Sequence, residues 1–334
     1  ASLAPMSLQV RIISVGSHAP GMRVTSAQWD RRFGRTAGTP SARSGVRERR
    51  WIGTGETSVT MAVAALGQAL QRAELAVDDL DALIVASVLP EQPMPTTAVL
   101  AAHALGVTDG VLEAFDVNAS CLGFLTALQQ AAFGIAAGRW RRVAVAAVDV
   151  ASKGLNHSEL EASALFGDGA AAIIVGPEEQ GSQILSLRLR SYPSASGLCR
   201  IAAGGTRFNV VTPPPRATDY LFAMDGLGMM KLVARAMPAF LDEVLVEAGV
   251  TRDQLAVVVP HQASGLGLRF LRERLGVPAE SVVDILAERG NQGSASMPTA
   301  LAAAVESQRL ERGDLCLLIG TGAGLVFGGA VLRY

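Results

Sequence analysis

Short apolar runs alternate with helical patterns along almost the whole 334-residue chain, and this alternation limits the folds open to it. Continuous runs such as residues 82–89 and 143–150 are typical of strands buried on both faces, because a strand with one solvated face would alternate apolar and polar residues. Other segments, such as residues 58–74, place apolar residues at helical spacing. The sequence therefore predicts an α/β fold whose sheets are covered by helices on both sides.

The same patterns predict the remaining elements. We predict further strands at residues 9–15, 111–117, 170–175, 184–190, 255–259, 315–319 and 326–332. Thr57 or Ser58 is placed to cap the first long helix. Further helices are expected after Pro95, Cys121, Ala223, Ser264 and Ser294. Residues 191–220, rich in Pro and Gly, are predicted to form a long functional loop.

Charge and hydropathy exclude several classes of partner. Lys plus Arg number 29 and Asp plus Glu 30, so a net charge of −1 supplies no overall field for nucleic acid or an anionic membrane. Residues 315–332 are uncharged over nearly the length of a spanning helix, but glycines cluster inside this segment as G-T-G-A-G and again as G-G. Helix-interior Gly costs about 1 kcal/mol relative to Ala, so two buried strands are favoured and no membrane span is expected.

Cellular location and metal content are predicted from the chain start and the cysteines. Residues 1–13 lack the basic start and continuous apolar segment of a secretory signal. Cys121, Cys199 and Cys316 are an odd number, widely spaced and without a C-x-x-C motif. This pattern argues against disulfides and a zinc site, and we expect a cytoplasmic protein without a metal.

A weak internal repeat divides the chain into residues 1–178 and residues 179–334. In each half a buried strand turns sharply into a helix, at Cys121 in the first half and at His261 in the second, and a further strand pair follows. Two copies of one unit would explain a length near twice that of an ordinary domain, although chance similarity between amphipathic segments is the alternative.

Three polar residues stand where chemistry is expected. Cys121 lies at a strand-to-helix corner, where free N–H groups and the helix dipole are expected to lower its pKa. His261 directly follows the strand V-V-V-P, and Asn291 precedes a helix in a Gly- and Ser-rich turn. A Cys thiolate can hold an acyl group while an imidazole and a carboxamide stabilise an enolate, as in carbon–carbon condensation. A papain-like hydrolase is the competing interpretation, but its C-G-S-C-W signature is absent.

Four motifs carry a resemblance to a known family. They are, in order, D-V-N-A-S-C-L-G-F, F-G-D-G-A-A-A, P-H-Q-A and G-N-Q-G-S-A-S-M-P. With the Gly-rich strand pair at the C-terminus, they resemble the β-ketoacyl-[acyl-carrier-protein] synthase III family of the thiolase superfamily over residues 44–334.

The resemblance implies a thiolase-like, five-layered αβαβα fold from two similar halves, in a homodimer. It implies that Cys121 accepts an acyl group from acyl-CoA, with the carbonyl oxygen held by backbone amides at Cys121 and Ala323. Malonyl thioester on acyl carrier protein would then lose CO2, His261 and Asn291 would stabilise the enolate, and a 3-oxoacyl product would form. No metal or redox cofactor would be needed. Fatty-acid or specialised-metabolite biosynthesis would be the setting.

Departures from the family pattern concern binding. Housekeeping members have P-H-Q-A-N-x-R, whereas this chain has P-H-Q-A-S-G-L-G and lacks the Arg associated with carrier docking. Met94 stands at an acyl-pocket position contributed by the dimer partner, and a flexible Met admits a different acyl chain. Trp29 does not align with the family's adenine-stacking Trp. Basic residues remain that could meet an acidic carrier protein or form a solvated helix face: Lys231, Arg269, Arg272 and Arg274.

Two other functions are alternatives to condensation by this chain. In the first, an acyltransferase of a specialised pathway passes the Cys-bound acyl group to an alcohol, an amine or a second acyl thioester. In the second, the chain is a catalytically silent partner of another ketosynthase, which retention of Cys121, His261 and Asn291 argues against. Outside these motifs, the R-E-R-R segment before Trp51 is interpreted as the polar edge of a buried element.

Overall fold

A computed structural model of the protein describes residues 7–34, 36 and 44–334. The strands are β1 (Val10–His18), β2 (Met22–Thr25), β3 (Glu48–Trp51), β4 (Ala82–Ala86), β5 (Glu113–Val117), β6 (Val143–Asp149), β7 (Gly169–Pro177), β8 (Gln183–Ser191), β9 (Cys199–Arg200), β10 (Ala223–Met224), β11 (Val257–Pro260), β12 (Leu315–Gly322) and β13 (Val326–Arg333). The helices are α1 (Ser26–Arg32), α2 (Ser58–Ala73), α3 (Thr97–Ala104), α4 (Gly123–Ala136), α5 (Leu160–Ser163), α6 (Gly226–Ala248), α7 (Gly265–Arg274), α8 (Leu286–Arg289) and α9 (Ser296–Glu306).

Two larger sheets organise these elements. The first has the order β1-β7-β6-β4-β5, with β4 parallel to both β5 and β6 and with β7 and β1 antiparallel to their neighbours. The second has the order β11-β12-β13-β8, with β11 and β12 parallel and the other pairs antiparallel. Carboxyl ends of parallel strands lie at the same edge of a sheet, so each sheet has one edge at which side chains following its strands can gather.

Five layers result from the way these sheets are covered. Helices α4 and α9 pack between the two sheets, α2 and α3 cover the outer face of the first sheet, and α6 and α7 cover that of the second. Strand β4 explains why a continuous apolar run is required: Ala82, Ile84 and Ala86 face the middle layer, while Leu83 and Val85 face α2 and α3. The small side chains of α9 let that helix fit between two sheets.

All the predicted strands are present, with ends that differ by a few residues. Of the two residues expected to cap α2, Thr57 is the one that does so. Its side chain accepts a hydrogen bond from Thr60 N. The uncharged segment 315–332 forms β12 and β13 rather than a helix. Within the described residues, no helix is both long and apolar enough to cross a membrane.

The N-terminal part and the expected loop differ from the sequence prediction. The short antiparallel pair of β2 and β3 was not predicted. The expected loop at 191–220 contains short 3-10 turns and β9, which pairs with β10. Residues 1–6, part of the segment 1–13 that is expected to lack a secretory signal, lie outside the described residues. The two sheets are formed from residues 10–177 and 183–333, and the origin of the halves as a repeat stays a prediction.

Candidate active site

The predicted site residues gather where the two sheets present the ends of their parallel strands. Cys121 follows β5 and precedes α4, and His261 directly follows β11. Ala323 follows β12, the parallel neighbour of β11. Asn291 lies in the turn between α8 and α9. Cys121, His261, Asn291 and Ala323 all line the same cavity, whose volume is about 220 Å³.

A strained corner presents the Cys121 side chain to this cavity. Ser120, directly before it, has a φ of 51°, which is an uncommon left-handed conformation for a residue other than glycine. The corner is held because Ser120 N donates to Asn118 Oδ1 at 2.9 Å, and Leu122 N donates to Ala119 O at 3.1 Å. Asn118 Nδ2 in turn donates to Val88 O at 3.2 Å, which ties the corner to the end of β4.

The acidity of Cys121 differs from the sequence-based expectation. Burial raises the pKa of the thiol above its ordinary value, and the thiol of Cys199 and the carboxyl of Asp149 raise it further. Hydrogen bonds from the backbone N–H groups of Cys121 and Ala323 oppose this rise but are smaller. The expected lowering of the Cys121 pKa is therefore wrong, because removal of the sulfur from water outweighs the local N–H groups.

His261 is held as a neutral side chain. It is 6% exposed, and burial lowers its pKa to about 4. Its backbone N–H donates to Ile319 O at 2.8 Å. Among the described residues, its Nδ1 has no hydrogen-bond partner. Gly320 is required beside it, since a Cβ there would lie 2.6 Å from His261 Cβ.

Neighbouring residues fix the Asn291 side chain. Gly293 N donates to Asn291 Oδ1 at 2.9 Å, and Asn291 Nδ2 donates to Ala263 O at 3.2 Å. Its backbone is anchored as well, because Asn291 N donates to Leu165 O at 2.8 Å and Gly167 N donates to Asn291 O at 3.0 Å. The second Nδ2 hydrogen remains available for a group in the cavity.

The other residues singled out in the sequence lie outside the cavity. Met94 is 80% exposed, on the loop between β4 and α3. Three basic residues are exposed: Lys231 on α6, and Arg269 and Arg274 on α7. Other residues of these two helices line the cavity. Arg272, from the same basic group, is instead paired with Asp284 at 2.9 Å.

Trp29 is unavailable to a ligand. It is 1% exposed and packs against Phe33 with ring centroids 4.9 Å apart. Stacking on an adenine ring would require an exposed face of the indole. Trp29 therefore belongs to the core, which agrees with its failure to align with the family's adenine-stacking Trp.

Two cavity residues were missed from the sequence. Asp149, at the end of β6, is a buried carboxyl whose pKa burial raises to about 7. Cys199, for which the sequence predicted no role in the reaction, lines the same cavity as Cys121, and burial raises its pKa to about 11. The end of a buried strand was the one available signal for Asp149. Nothing in the sequence around Cys199 indicated its position.

The arrangement brings complementary groups to one apolar cavity. The Cys121 thiol can accept an acyl group, and the two N–H groups directed at it can donate hydrogen bonds to the acyl carbonyl oxygen. A neutral imidazole and a fixed carboxamide can donate hydrogen bonds to a second oxygen without a buried cation. Apolar side chains that line the same cavity provide space for a hydrocarbon chain: Val88, Leu89, Leu155, Leu165, Phe166 and Phe222.

Comparison with known families matches two parts of the chain. Residues 115–193 match the family described as 3-Oxoacyl-[acyl-carrier-protein (ACP)] synthase III. Residues 245–334 match that family's C-terminal region. The matched parts contain Cys121, His261, Asn291 and Ala323.

Individual proteins show the same similarity over nearly the full length. The chain is 35% identical to the beta-ketoacyl-[acyl-carrier-protein] synthase III of Roseiflexus castenholzii, covering 96% of each chain. It is 32% identical to the acetoacetyl CoA synthase NphT7 of a Streptomyces species, covering 98% of this chain and 99% of the relative. The crystal structure of 3-oxoacyl-[acyl-carrier-protein] synthase III from Aquifex aeolicus superimposes with a TM-score of 0.86 at 31% identity, covering 97% of this chain and 100% of that one.

Proposed function

The chain belongs to the 3-oxoacyl-[acyl-carrier-protein] synthase III family of condensing enzymes, which are acyltransferases, and from that premise we propose a specific reaction. An acyl group passes from acyl-CoA to Cys121, and condensation with a malonyl thioester on acyl carrier protein gives a 3-oxoacyl product. The observation that carries this proposal is the meeting of Cys121, His261 and Asn291 in one apolar cavity.

In the first half-reaction the Cys121 sulfur attacks the thioester carbonyl. A C–S bond forms to Cys121, the bond to coenzyme A breaks, and the thiol proton is transferred so that coenzyme A leaves as a thiol. The N–H groups of Cys121 and Ala323 are directed at the sulfur, so a carbonyl carbon bonded to that sulfur brings its oxygen within their reach. Because burial disfavours the free thiolate, proton removal accompanies attack, and the proton ends on the departing thiol of coenzyme A.

In the second half-reaction the malonyl thioester loses CO2. The electron pair of the broken C–C bond forms an enolate, whose oxygen accepts hydrogen bonds from His261 and Asn291 Nδ2. The enolate carbon attacks the acyl-cysteine carbonyl, and the Cys121 sulfur leaves and recovers a proton. Every step balances with thioesters, CO2 and protons alone, so the reaction calls for no metal or redox cofactor. A neutral His261 suits this role, since it donates a hydrogen bond without adding a buried charge.

Binding partners follow from the surfaces around the cavity. We infer that an apolar acyl chain occupies the hydrocarbon-lined wall. Lys231, Arg269 and Arg274 offer positive charge to an acidic carrier protein, and they lie on α6 and α7, helices that also contribute residues to the cavity lining. Exposed Met94 fits an acyl-pocket role across a homodimer interface, where its flexible side chain adapts to the bound acyl chain.

A product assay tests the reaction directly. Purified protein is given an acyl-CoA and malonyl-carrier protein, with candidate alcohols and amines present, and the products are identified by mass. We expect release of CO2 and a 3-oxoacyl thioester on the carrier protein. An acyl ester or amide formed without CO2 release would instead support the acyltransferase of a specialised pathway and contradict condensation.

Separate half-reactions test the assigned roles. We expect His261→Ala and Asn291→Ala to acylate Cys121 but to slow malonyl decarboxylation by roughly 100-fold, the order typical of removing one oxyanion donor. His103→Ala, an exposed substitution on α3, is the control for a general effect of losing an imidazole. Decarboxylation at the wild-type rate in both His261→Ala and Asn291→Ala would remove the enolate role.

A further inference from the structure

Asp149 is a buried acid in the cavity that the proposed reaction does not use. It ends β6, is 3% exposed and lines the cavity that also contains Cys121 and Asn291. A buried carboxyl group requires specific hydrogen bonds to offset its removal from water. Its partners therefore indicate what the residue is held there to do.

Both carboxylate oxygens accept hydrogen bonds from backbone groups on different parts of the chain. Asp149 Oδ1 accepts from Val88 N at 2.8 Å. Asp149 Oδ2 accepts from Ser294 N at 2.6 Å and from Ser294 Oγ at 2.7 Å. The side chain thus joins the ends of β4 and β6 to the turn that carries Asn291.

This turn is also what fixes the Asn291 amide. Gly293 N donates to Asn291 Oδ1, and Gly293 adopts a φ of 58°. A Cβ at Gly293 would lie 2.4 Å from Asp149 Oδ2, so the carboxylate packs directly against the residue that holds Asn291 Oδ1. With Oδ1 occupied by Gly293 N–H, the amide can present only its Nδ2 hydrogens to the cavity and to Ala263 O.

We propose that Asp149 is a positioning residue that acts through the Gly293–Ser294 turn to hold the Asn291 amide with Nδ2 directed at the enolate oxygen. This inference rests on the proposed condensation. Asp149 does not itself touch the reacting atoms in this account. Its removal should therefore impair the half-reaction that needs Asn291 and spare the one that needs only Cys121 and its N–H groups.

Only a carboxylate matches these partners. Val88 N donates to Oδ1 and Ser294 N donates to Oδ2. An asparagine at 149 would therefore place its NH2 group, which is a donor, against one of these two backbone N–H donors. Asp149→Asn preserves size while breaking one side of the bridge. Because burial raises the Asp149 pKa to about 7, the comparison is made at pH 8, where the wild-type side chain is ionised.

The test measures both half-reactions and the mobility of the turn. For Asp149→Asn we expect Cys121 acylation within about threefold of wild type, malonyl decarboxylation slower by about tenfold or more, and faster amide hydrogen exchange at residues 291–296. Asp168→Asn is the matched control, because that buried carboxylate also accepts from two backbone N–H groups and a serine hydroxyl. We expect the control to leave the ratio of the two half-reactions unchanged.

Four outcomes would overturn the inference. Wild-type decarboxylation in Asp149→Asn would do so, and so would an equal loss of both half-reactions, which indicates a merely structural role. If Asp149→Asn does not fold, Ser294→Ala decides by the same ratio. It removes the hydroxyl contacts to Asp149 Oδ2 and Ala86 O and keeps the Ser294 N–H bond. We expect the ratio of decarboxylation to acylation to fall by about threefold, and an unchanged ratio would overturn the inference. If wild-type protein decarboxylates no malonyl thioester, the proposed function fails separately, and unchanged hydrogen exchange at 291–296 then contradicts the positioning role.

Discussion

The protonation of His261 links the site to the stability of the chain. Burial lowers its pKa to about 4, whereas the unfolded side chain has an ordinary value of about 6.5. Between these values the unfolded chain binds more protons at this residue than the folded chain does. Stability is therefore lost as pH falls from about 6.5 towards 4.

Replacing His261 with glutamine should remove this dependence. We expect the difference in unfolding free energy between His261→Gln and wild type to move by about 2 kcal/mol in favour of the variant between pH 7 and pH 4.5. Asp149, whose raised pKa gives the opposite pH dependence, is present in both proteins and cancels in the comparison. Urea unfolding at several pH values measures the difference, and a constant difference across this range would contradict a buried neutral imidazole.

Sequence patterns identified candidate site residues that directly follow strands or stand in turns. They did not identify a residue whose role depends on contacts with distant parts of the chain. Cys121, His261 and Asn291 stand beside clear strand or turn signals, and the structure brings them to one cavity. The role proposed for Asp149 depends on a partner 145 positions away, which local periodicity does not reveal. The direction of the Cys121 pKa was also missed, because burial of the sulfur depends on walls formed by distant segments.

Glycines within two helices provide a test at the scale of elements. Gly67 in α2 has nothing within 4 Å of a Cβ placed on it, whereas a Cβ on Gly134 in α4 would lie 2.0 Å from the Trp140 ring. We expect Gly67→Ala to stabilise the chain by about 0.5–1 kcal/mol through helix propensity. Gly134→Ala should destabilise it by about 1–3 kcal/mol, because the ring must move.

Thermal and urea unfolding of the two variants measures this contrast. Each substitution adds one methyl group to a helix glycine, so the pair is matched in chemistry and differs in surroundings. Stabilisation by Gly134→Ala, or destabilisation of the same size by both, would contradict the packing of α4 against Trp140.

Elements were predictable where a buried face imposes a period. The strands of both sheets and the cap of α2 follow from apolar runs and from Thr57. Strands β2 and β3 were missed because E-R-R-W carries no apolar pattern. Arg49 is fully buried there and donates to Ala164 O at 2.7 Å, so this residue lies inside the molecule rather than at the polar edge expected for R-E-R-R.

At the scale of the whole molecule, the layered fold places the cavity between the sheet edges and leaves Met94 exposed outside it. We predict that Met94 serves the acyl pocket of a dimer partner. Met94→Trp should then exclude long acyl chains in homodimers by filling the partner's pocket. Mixed dimers with Cys121→Ala should regain long-chain activity, because the intact Cys121 receives Met94 from the other subunit.

Acyl-chain selection of the mixed dimers, against each homodimer alone, measures this effect. Cys121→Ala homodimers supply the baseline for activity that does not depend on the thiol. If mixing yields no long-chain activity above that of the two homodimers, Met94 does not act across an interface. Sedimentation of the wild-type protein as a monomer would contradict the same prediction.

The overall architecture could be predicted from the sequence, but the set of segments that forms the cavity could not. Alternating strands and helices indicated two covered sheets, and the four motifs indicated the family. Which walls close the cavity was not predictable, since residues from segments as distant as Val88, Cys199 and Leu275 meet there only in the folded chain. The origin of residues 1–178 and 179–334 as a repeat stays a prediction.

Acylation of Cys121 is the most direct test of the account. The protein is incubated with an apolar acyl-CoA, and the modified residue is located by intact mass and peptide mapping. We predict a mass increase of one acyl group on the peptide that contains Cys121, abolished in Cys121→Ala and retained in Cys199→Ala. Undiminished acylation of Cys121→Ala, or an acyl group found on Cys199 instead, would contradict the assignment of Cys121 as the acyl acceptor.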